Sequence, residues 1–371
     1  MKIKGQHYHT IWIKGDEPAT VQIIDQRKLP FFFEVIDLKT PEDAYLAIKD
    51  MAVRGAPLTG ITAAWGMYLA LAGFRGRDLQ GYMKKTASYL KSARPTAVNP
   101  GFTIDTVLNF IICEKSASDM IEKTFDKVKK LEEDEINYSN KIGDFGLTLI
   151  ENIYRKKRER VNILTHCNAG WLACIDWGTA TAPVYKAQLR GIPVHVWVDE
   201  TRPRNQGARL TAYELGEEGV PHTVIADNTG GHLMQHGLVD LVLVGSDRTT
   251  VSGHTANKIG TYLKALAAYD NKIPFYVALP SSSIDWSVED GLNEIPIEER
   301  GSEEVAEIEG WSGKDIKKVR LVPDNCKTAN YGFDVTPSRL ITGLITERGI
   351  CKAEKSSILN LFPEKQELCT K

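Results

Sequence analysis

The chain has 371 residues, 42% of them hydrophobic and 25% charged, with a formal net charge of -2. That length supports one large domain or two ordinary ones, and so balanced a charge gives no electrostatic pull toward nucleic acid or an anionic membrane. No apolar run is long enough to span a bilayer, and the opening MKIKGQHYHTIW lacks the apolar core of a signal peptide, so the expected location is the cytoplasm.

In the N-terminal third, residues 21–28 and 31–35 read as strands, with Pro30 between them. Thr40-Pro41-Glu42-Asp43 is a helix start: an N-cap, proline at the first position and acids in the first turn. A second helix begins near Pro57, and its many small residues predict close packing. Two charged amphipathic helices are expected over residues 104–160. The tract KKRER at their end, just before Val161, is the expected boundary between an N-terminal domain, residues 1–155, and a C-terminal domain, residues 156–371, or else only a solvated helix end.

From Val161 onward the segments VNILTHC, VHVWVDE, HTVIAD, LVLVGSD and FYVALP read as strands separated by helical patterns. Near-continuous apolar strands alternating with helices predict a parallel-rich, Rossmann-like sheet covered on both faces. Residues 285–313 read as a polar loop excursion. VRLVPD and a last helix over residues 337–348 are expected to close the domain. The fold class is therefore α/β, with a smaller mixed α+β N-terminal domain.

Several polar side chains fall where strands end. Cys167 follows the apolar run 161–164, and Asp247 follows 241–244. Ligands of open α/β sheets bind at that edge, and a thiol with a carboxylate makes an acid/base pair. A helix starting at or soon after Asn168 would favour thiolate through its dipole. His166 points to the opposite face if the strand persists. The alternative for Cys167 is a buried inert thiol. The other cysteines, Cys113, Cys174, Cys326, Cys351 and Cys369, read as reduced thiols, because the sequence has no CxxC pair and no zinc-like spacing with its eight histidines.

Arg54-Gly55-Ala56-Pro57 precedes a helix and forms a ready anion site, or else a capped turn with a surface arginine. Arg94-Pro95-Thr96-Ala97-Val98-Asn99 is a second cationic turn. Asp199 or Glu200 is a candidate to pair with Arg202 or Arg209, and Gln206 suits sugar hydroxyls. An Asp247–Arg248 ion pair would work against Asp247 as a base. Asn257 and Lys258 are expected to start the next helix and to contact a phosphorylated sugar. His232 and His254 read as surface or loop histidines. There is no GxxxxGK[ST] loop and no convincing GxGxxG, so no nucleotide cofactor is expected.

Together the runs VRGAPLTGITAAWG, RPTAVN, LTHCNAGWLA, VDETRPRNQGARLTAYEL, VLVGSDR, ANKIGTY and FDVTPSRLITGLITERG closely resemble 5-methylthioribose-1-phosphate isomerases. The wider superfamily includes ribose-1,5-bisphosphate isomerases and non-catalytic regulatory subunits of a translation-initiation exchange factor. The resemblance implies a homodimer that converts a 5-substituted ribose 1-phosphate to the ketose without metal or nucleotide. It implies Cys167 and Asp247 as the catalytic pair and Arg54, Gly55, Ala56, Arg94, Gln206, Asn257 and Lys258 as the substrate site. The sequence departs from the usual pattern at Pro100-Gly101-Phe102, at Asn228 to His232 and at Ser246. These changes leave 5-deoxyribose 1-phosphate open as the substrate, or both sugars, and a regulatory binding protein is the alternative of another class.

Overall fold

The computed structural model describes residues 1–15, 17–94, 98–114 and 119–369. The chain opens with a short antiparallel pair, β1 (Lys2–Ile3) and β2 (Gln6–His7). A three-stranded antiparallel sheet follows: β3 (Ile11–Lys14), β4 (Glu17–Ile24) and β5 (Val35–Leu38). The expected strand over 31–35 is displaced to β5. Residues 26–31 form turns instead, and the Arg209 guanidinium occupies the Arg27 and Leu29 carbonyls at 2.7 and 3.1 Å. Helix α1 (Pro41–Lys49) starts as expected, with Thr40 and Asp43 in a reciprocal capping box.

Helix α2 (Ala56–Gly73) is buried from Ala56 through Leu71. Its small residues permit this burial: Gly60 lies against Asn99, and Gly66 against Ala44. Helices α3 (Leu79–Lys91), α4 (Val98–Cys113) and α5 (Met120–Lys157) pack around it. At 38 residues, α5 is about 57 Å long. Its first half joins the N-terminal apolar core through Val128, while Ile142, Leu147 and Ile150 join the core beneath the central sheet. Of the cationic turn at Arg94, residues 95–97 lie outside the described residues.

The C-terminal half supplies β6 (Val161–Thr165), α6 (Ala182–Leu189), β7 (Val194–Asp199), α7 (Ala212–Glu217), β8 (His222–Ile225), α8 (Thr229–Gln235), β9 (Leu241–Val244), β10 (Arg248–Thr250), β11 (Thr255–Lys258), α9 (Thr261–Asp270) and β12 (Phe275–Ala278). It continues with β13 (Ile284–Asp285), α10 (Gly291–Glu294), α11 (Glu303–Ala306), β14 (Glu307–Trp311), β15 (Ile316–Arg320), β16 (Phe333–Thr336), β17 (Gly343–Thr346), β18 (Gly349–Cys351) and α12 (Lys355–Leu361).

Two expectations fail here. Residues 285–313 are not a plain loop: they include α10, α11 and β14, and β14 pairs antiparallel with β15, which takes in only the first two residues of VRLVPD, as a hairpin. That hairpin lies outside the central sheet. Residues 337–348 do not form a helix. A 3₁₀ turn at Ser338–Leu340 leads into β17, whose buried run Gly343-Leu344-Ile345 pairs in parallel with β12.

The seven-stranded sheet has the order β18-β17-β12-β9-β6-β7-β8, and all its pairs are parallel except β17–β18. The chain runs outward from β6 through β7 and β8, then returns to β9 on the other side of β6. The order therefore reverses between β6 and β9, the switch point where open α/β sheets bind ligands. One face carries α6 and the second half of α5, and the other carries α8, α9 and α12. A four-stranded sheet, β13-β10-β11-β16, is built from the segments that follow β9.

Candidate active site

Cys167 sits two residues past β6, and Asp247 sits three past its neighbour β9. The Cys167 backbone is left-handed, with φ +66°, a conformation costing a non-glycine residue about 1–2 kcal/mol. Both of its peptide groups are held: its N–H donates to Thr201 Oγ1 at 2.8 Å, and its carbonyl accepts from Thr211 Oγ1 at 2.7 Å. Asp227 fixes the Thr201 turn by accepting from the N–H groups of Thr201 (2.6 Å) and Arg202 (2.7 Å).

No helix begins at Asn168. A 3₁₀ turn at Trp171–Ala173 follows, and the Asn168 side chain is engaged elsewhere. Its Oδ1 accepts from Arg54 Nη1, and its Nδ2 donates to Glu214 Oε1 at 2.8 Å and to Thr211 Oγ1 at 3.1 Å. The expected helix dipole is thus replaced by a guanidinium. Arg54 Nη2 lies 3.9 Å from Cys167 Sγ and 2.8 Å from the Asn168 carbonyl. Gly55, the residue before α2, has φ +87° and touches Ala173, so the tip of α2 and the Cys167 loop approach backbone to backbone.

Glu214 escapes the sequence argument. It is buried, accepts from the Leu172 N–H at 3.1 Å as well as from Asn168, and burial pushes its carboxyl up to about 8. At neutral pH it is mostly the uncharged acid. The available signal was an acid on the otherwise apolar inward face of TAYEL.

Asp247 is half-buried, and its N–H donates to the Ala256 carbonyl at 3.0 Å. Arg248 does not neutralise it: that guanidinium turns to Asp285 at 3.4 Å. Asn257 and Lys258 lie on β11 rather than on a helix, because residues 255–258 pair with β16 and the first two of them also with β10. Asn257 Nδ2 donates to Thr261 Oγ1 at 3.0 Å.

Lys258 is buried, not an exposed helix lysine, with Nζ 4.5 Å from the Phe333 ring centroid. Burial lowers its pKa, the charges of Cys167 and Asp247 raise it, and Arg94 and Arg54 lower it. Arg94 faces the same ring at 6.0 Å. Burial pulls its guanidinium below the ordinary value against the charges of Asp247 and Glu298. Its Nε is 3.8 Å from Glu298 Oε2, too far for a hydrogen bond, and its buried Nη1 has no partner. Three buried cations thus converge on one thiol and one carboxylate, a surplus of positive charge matched to an anion.

Gln206 is buried beside Arg54, Arg204 and Arg209 in a small cleft, and its Oε1 lacks a partner. Ala56 is buried at the first turn of α2. The structure therefore gathers Arg54, Gly55, Ala56 and Gln206 on the Cys167 side, and Arg94, Asn257 and Lys258 on the Asp247 side.

The pairing considered for Asp199 and Glu200 with Arg202 or Arg209 does not form. Asp199 Oδ2 receives His166 Nδ1 at 2.9 Å and Lys264 Nζ at 3.0 Å, Arg202 donates to the Val305 carbonyl at 2.9 Å, and Arg209 pairs with Glu309 at 3.1 Å. His166 points away from Cys167, with Nε2 2.8 Å from the Ile259 carbonyl. His166, Asp199 and Asp227 form a cluster with metal-like spacing, in which the Lys264 ammonium shares Asp199 Oδ2 with His166 at 3.0 Å. His232 lies on α8 against His236, and His254 Nδ1 accepts from the Gly291 N–H at 3.3 Å.

The three departures have local roles. Phe102 and Trp286 line a separate cavity of about 470 Å³, Gly230 packs on Leu164, and Ser246 hydrogen-bonds Thr249 at 2.8 Å.

The fold is thus a doubly wound α/β sheet with a thiol and a carboxylate at its switch point, faced by buried cations. The chain belongs to the Initiation factor 2 subunit family, whose model matches residues 52–353. It is 52% identical over 370 residues to a methylthioribose-1-phosphate isomerase from Desulfatibacillum aliphaticivorans, covering 99% of this chain and 100% of that protein. Among solved structures it is similar to 5-methylthioribose 1-phosphate isomerase from Pyrococcus horikoshii, at 34% identity and a TM-score of 0.82, with 97% of each chain covered. It is also similar to translation initiation factor eIF-2B, subunit delta, from A. fulgidus, at 37% identity and a TM-score of 0.77, covering 96% of this chain and 100% of that one.

Proposed function

We propose that this chain is an aldose–ketose isomerase that converts 5-methylthioribose 1-phosphate to 5-methylthioribulose 1-phosphate, a step of methionine salvage. The observation that carries this reading is the convergence of buried Arg54, Arg94 and Lys258 on Cys167 and Asp247. Phosphate balances the cations, and the thiol and carboxylate supply the proton chemistry. Arg94 Nη1 and Gln206 Oε1, both buried and unpartnered, are suited to hydrogen-bond a phosphate oxygen and a sugar hydroxyl.

Phosphate caps the anomeric oxygen, so the ring cannot open by losing a hydroxyl proton there. In the proposed route Asp247, as the acid, protonates the ring oxygen as the C1–O4 bond breaks. Cys167, as thiolate, removes the C2 proton from the resulting oxocarbenium and forms an enol. Asp247 then accepts the C2 hydroxyl proton while the Cys167 thiol protonates C1, and both groups return to their starting states. In this picture residues 1–155 contribute Arg54, Gly55, Ala56 and Arg94, and residues 156–371 contribute the rest. We further take the protein to be a cytoplasmic homodimer. Sedimentation velocity tests the dimer.

Initial rates on 5-methylthioribose 1-phosphate and 5-deoxyribose 1-phosphate, with product identified by NMR, test the assignment. The expected result is a clear preference for the methylthio sugar. Silence on both favours the regulatory-protein alternative. Cys167→Ser and Asp247→Asn are each expected to lose more than ~100-fold in kcat, and near-normal turnover in both would reject the pair. If the Cys167 thiol exchanges with solvent between its two proton transfers, reaction in D2O places deuterium at C1, and any such label excludes a hydride shift, which carries the C2 hydrogen to C1 without exchange.

A further inference from the structure

We infer that His7, His9 and Asp176 form a binding site for one divalent metal ion of the zinc type, separate from the catalytic pair. Two histidines at alternate positions near the chain's start meet a carboxylate 167 residues away from the second of them. Their nearest ligand atoms lie within 4.8 Å of one another. His7 Nε2 is 3.1 Å, and His9 Nε2 3.6 Å, from Asp176 Oδ2. Ligands bonded to zinc at about 2.0–2.1 Å in a tetrahedron stand roughly 3.4 Å apart, so these separations straddle the required edge. The two imidazole rings are 77° apart in plane with centroids at 5.1 Å, which lets both nitrogens address one point without stacking.

The carboxylate is already oriented for this task. Asp176 is buried, and its Oδ1 accepts from the Trp177 N–H at 2.9 Å and from the Met1 amino group at 2.6 Å. Oδ2 is the oxygen left facing the imidazoles. Hydrogen bonds of this kind fix a ligating carboxylate in the way that outer partners fix metal ligands generally.

A two-imidazole, one-carboxylate set suits zinc, nickel or copper(II), while magnesium and calcium demand more oxygen ligands. His7 is 58% exposed, which opens a fourth position to water. The ion would rivet the β1–β2 pair to the segment that continues from the Trp171–Ala173 turn, behind the Cys167 loop.

The test uses the full chain with Cys167→Ser, so that the catalytic thiol does not compete. Zinc is titrated calorimetrically, and cobalt(II) is followed by visible absorption. The expected result is one ion per chain, the d–d bands of four-coordinate cobalt, and a higher melting temperature with zinc. His7→Gln and His9→Arg should each weaken zinc binding by more than ~10-fold, since even outer partners of a ligand carry that much. His9→Arg offers Asp176 a hydrogen-bond donor but no lone pair, so a melting temperature without metal no lower than the parent's would separate lost ligation from misfolding. Failure of the parent to bind zinc at micromolar concentration overturns the site. So does equal zinc affinity in parent and variants, which would move the ion to His166, Asp199 and Asp227.

Discussion

Replacing Gly55 by alanine probes the contact that holds Arg54 beside Cys167. A Cβ built there falls 2.4 Å from the Ala173 carbonyl oxygen and 2.5 Å from Ala173 Cβ. Ordinary carbon contacts are roughly 3.5–4.0 Å, so the tip of α2 and the Ala173 turn must separate by about 1 Å. The backbone angles, φ +87° and ψ 143°, add a penalty of about 1–3 kcal/mol for an L side chain. Overpacking a tight contact costs another ~1–3 kcal/mol. The sum is about 2–6 kcal/mol. With roughly 2.1 cal/mol/K of unfolding entropy per residue, a chain of 371 residues loses about 1 °C of melting temperature per 0.8 kcal/mol, giving a drop of ~3–8 °C if it unfolds as a unit. Because Arg54 is displaced with the turn, kcat/KM should fall at least ~10-fold, as misplacements near 1 Å can cost ~100-fold. Calorimetric melting and initial rates measure the two effects. Gly73→Ala, at the open end of the same helix, is the control and should be neutral. If Gly55→Ala melts with the parent and turns over normally, the close approach is not what positions Arg54.

Burial also predicts a pH response. Glu214 and Glu135 have carboxyls raised to about 8 and about 7, chiefly by desolvation, above the unfolded value of ~4.3. The folded state binds more protons between these values, so the stability they contribute is complete below about pH 4 and declines as pH rises through 7 and 8. Denaturant unfolding at about pH 6 and about pH 9 should find the protein weaker at the higher pH, with Glu214→Gln flattening the slope; a stability that rises over that range refutes the argument. Lys258→Met removes a buried charge beside two arginines, so the fold should be as stable or more so. Its KM for the sugar phosphate should rise ~10-fold or more, the worth of one charge-assisted hydrogen bond, and an unchanged KM would remove Lys258 from the phosphate site.

What the sequence determined is mostly local. The capping box at Thr40 requires only four consecutive residues, and the apolar runs of β6, β7, β9 and β12 mark buried parallel strands because side chains on both faces must be hydrophobic. Cys167 and Asp247 were legible as strand-end residues for the same reason. Failures came where a segment's state depends on distant partners. Residues 343–346 become a strand because β12 offers an edge, and the turn before β5 is tied to the C-terminal half by Arg209, which takes the Arg27 and Leu29 carbonyls. Asn257 and Lys258 join β11 because β10 and β16 flank it.

The strand order was also beyond the sequence, and it alone makes β6 and β9 neighbours and so brings the thiol and the carboxylate to one crevice. Glu214 behind Asn168 and the meeting of His7, His9 and Asp176 likewise join residues far apart in the chain. Periodicity reports which face of an element is buried. It carries no information on which element that face will meet, and the polar contacts of this site are decided at those meetings.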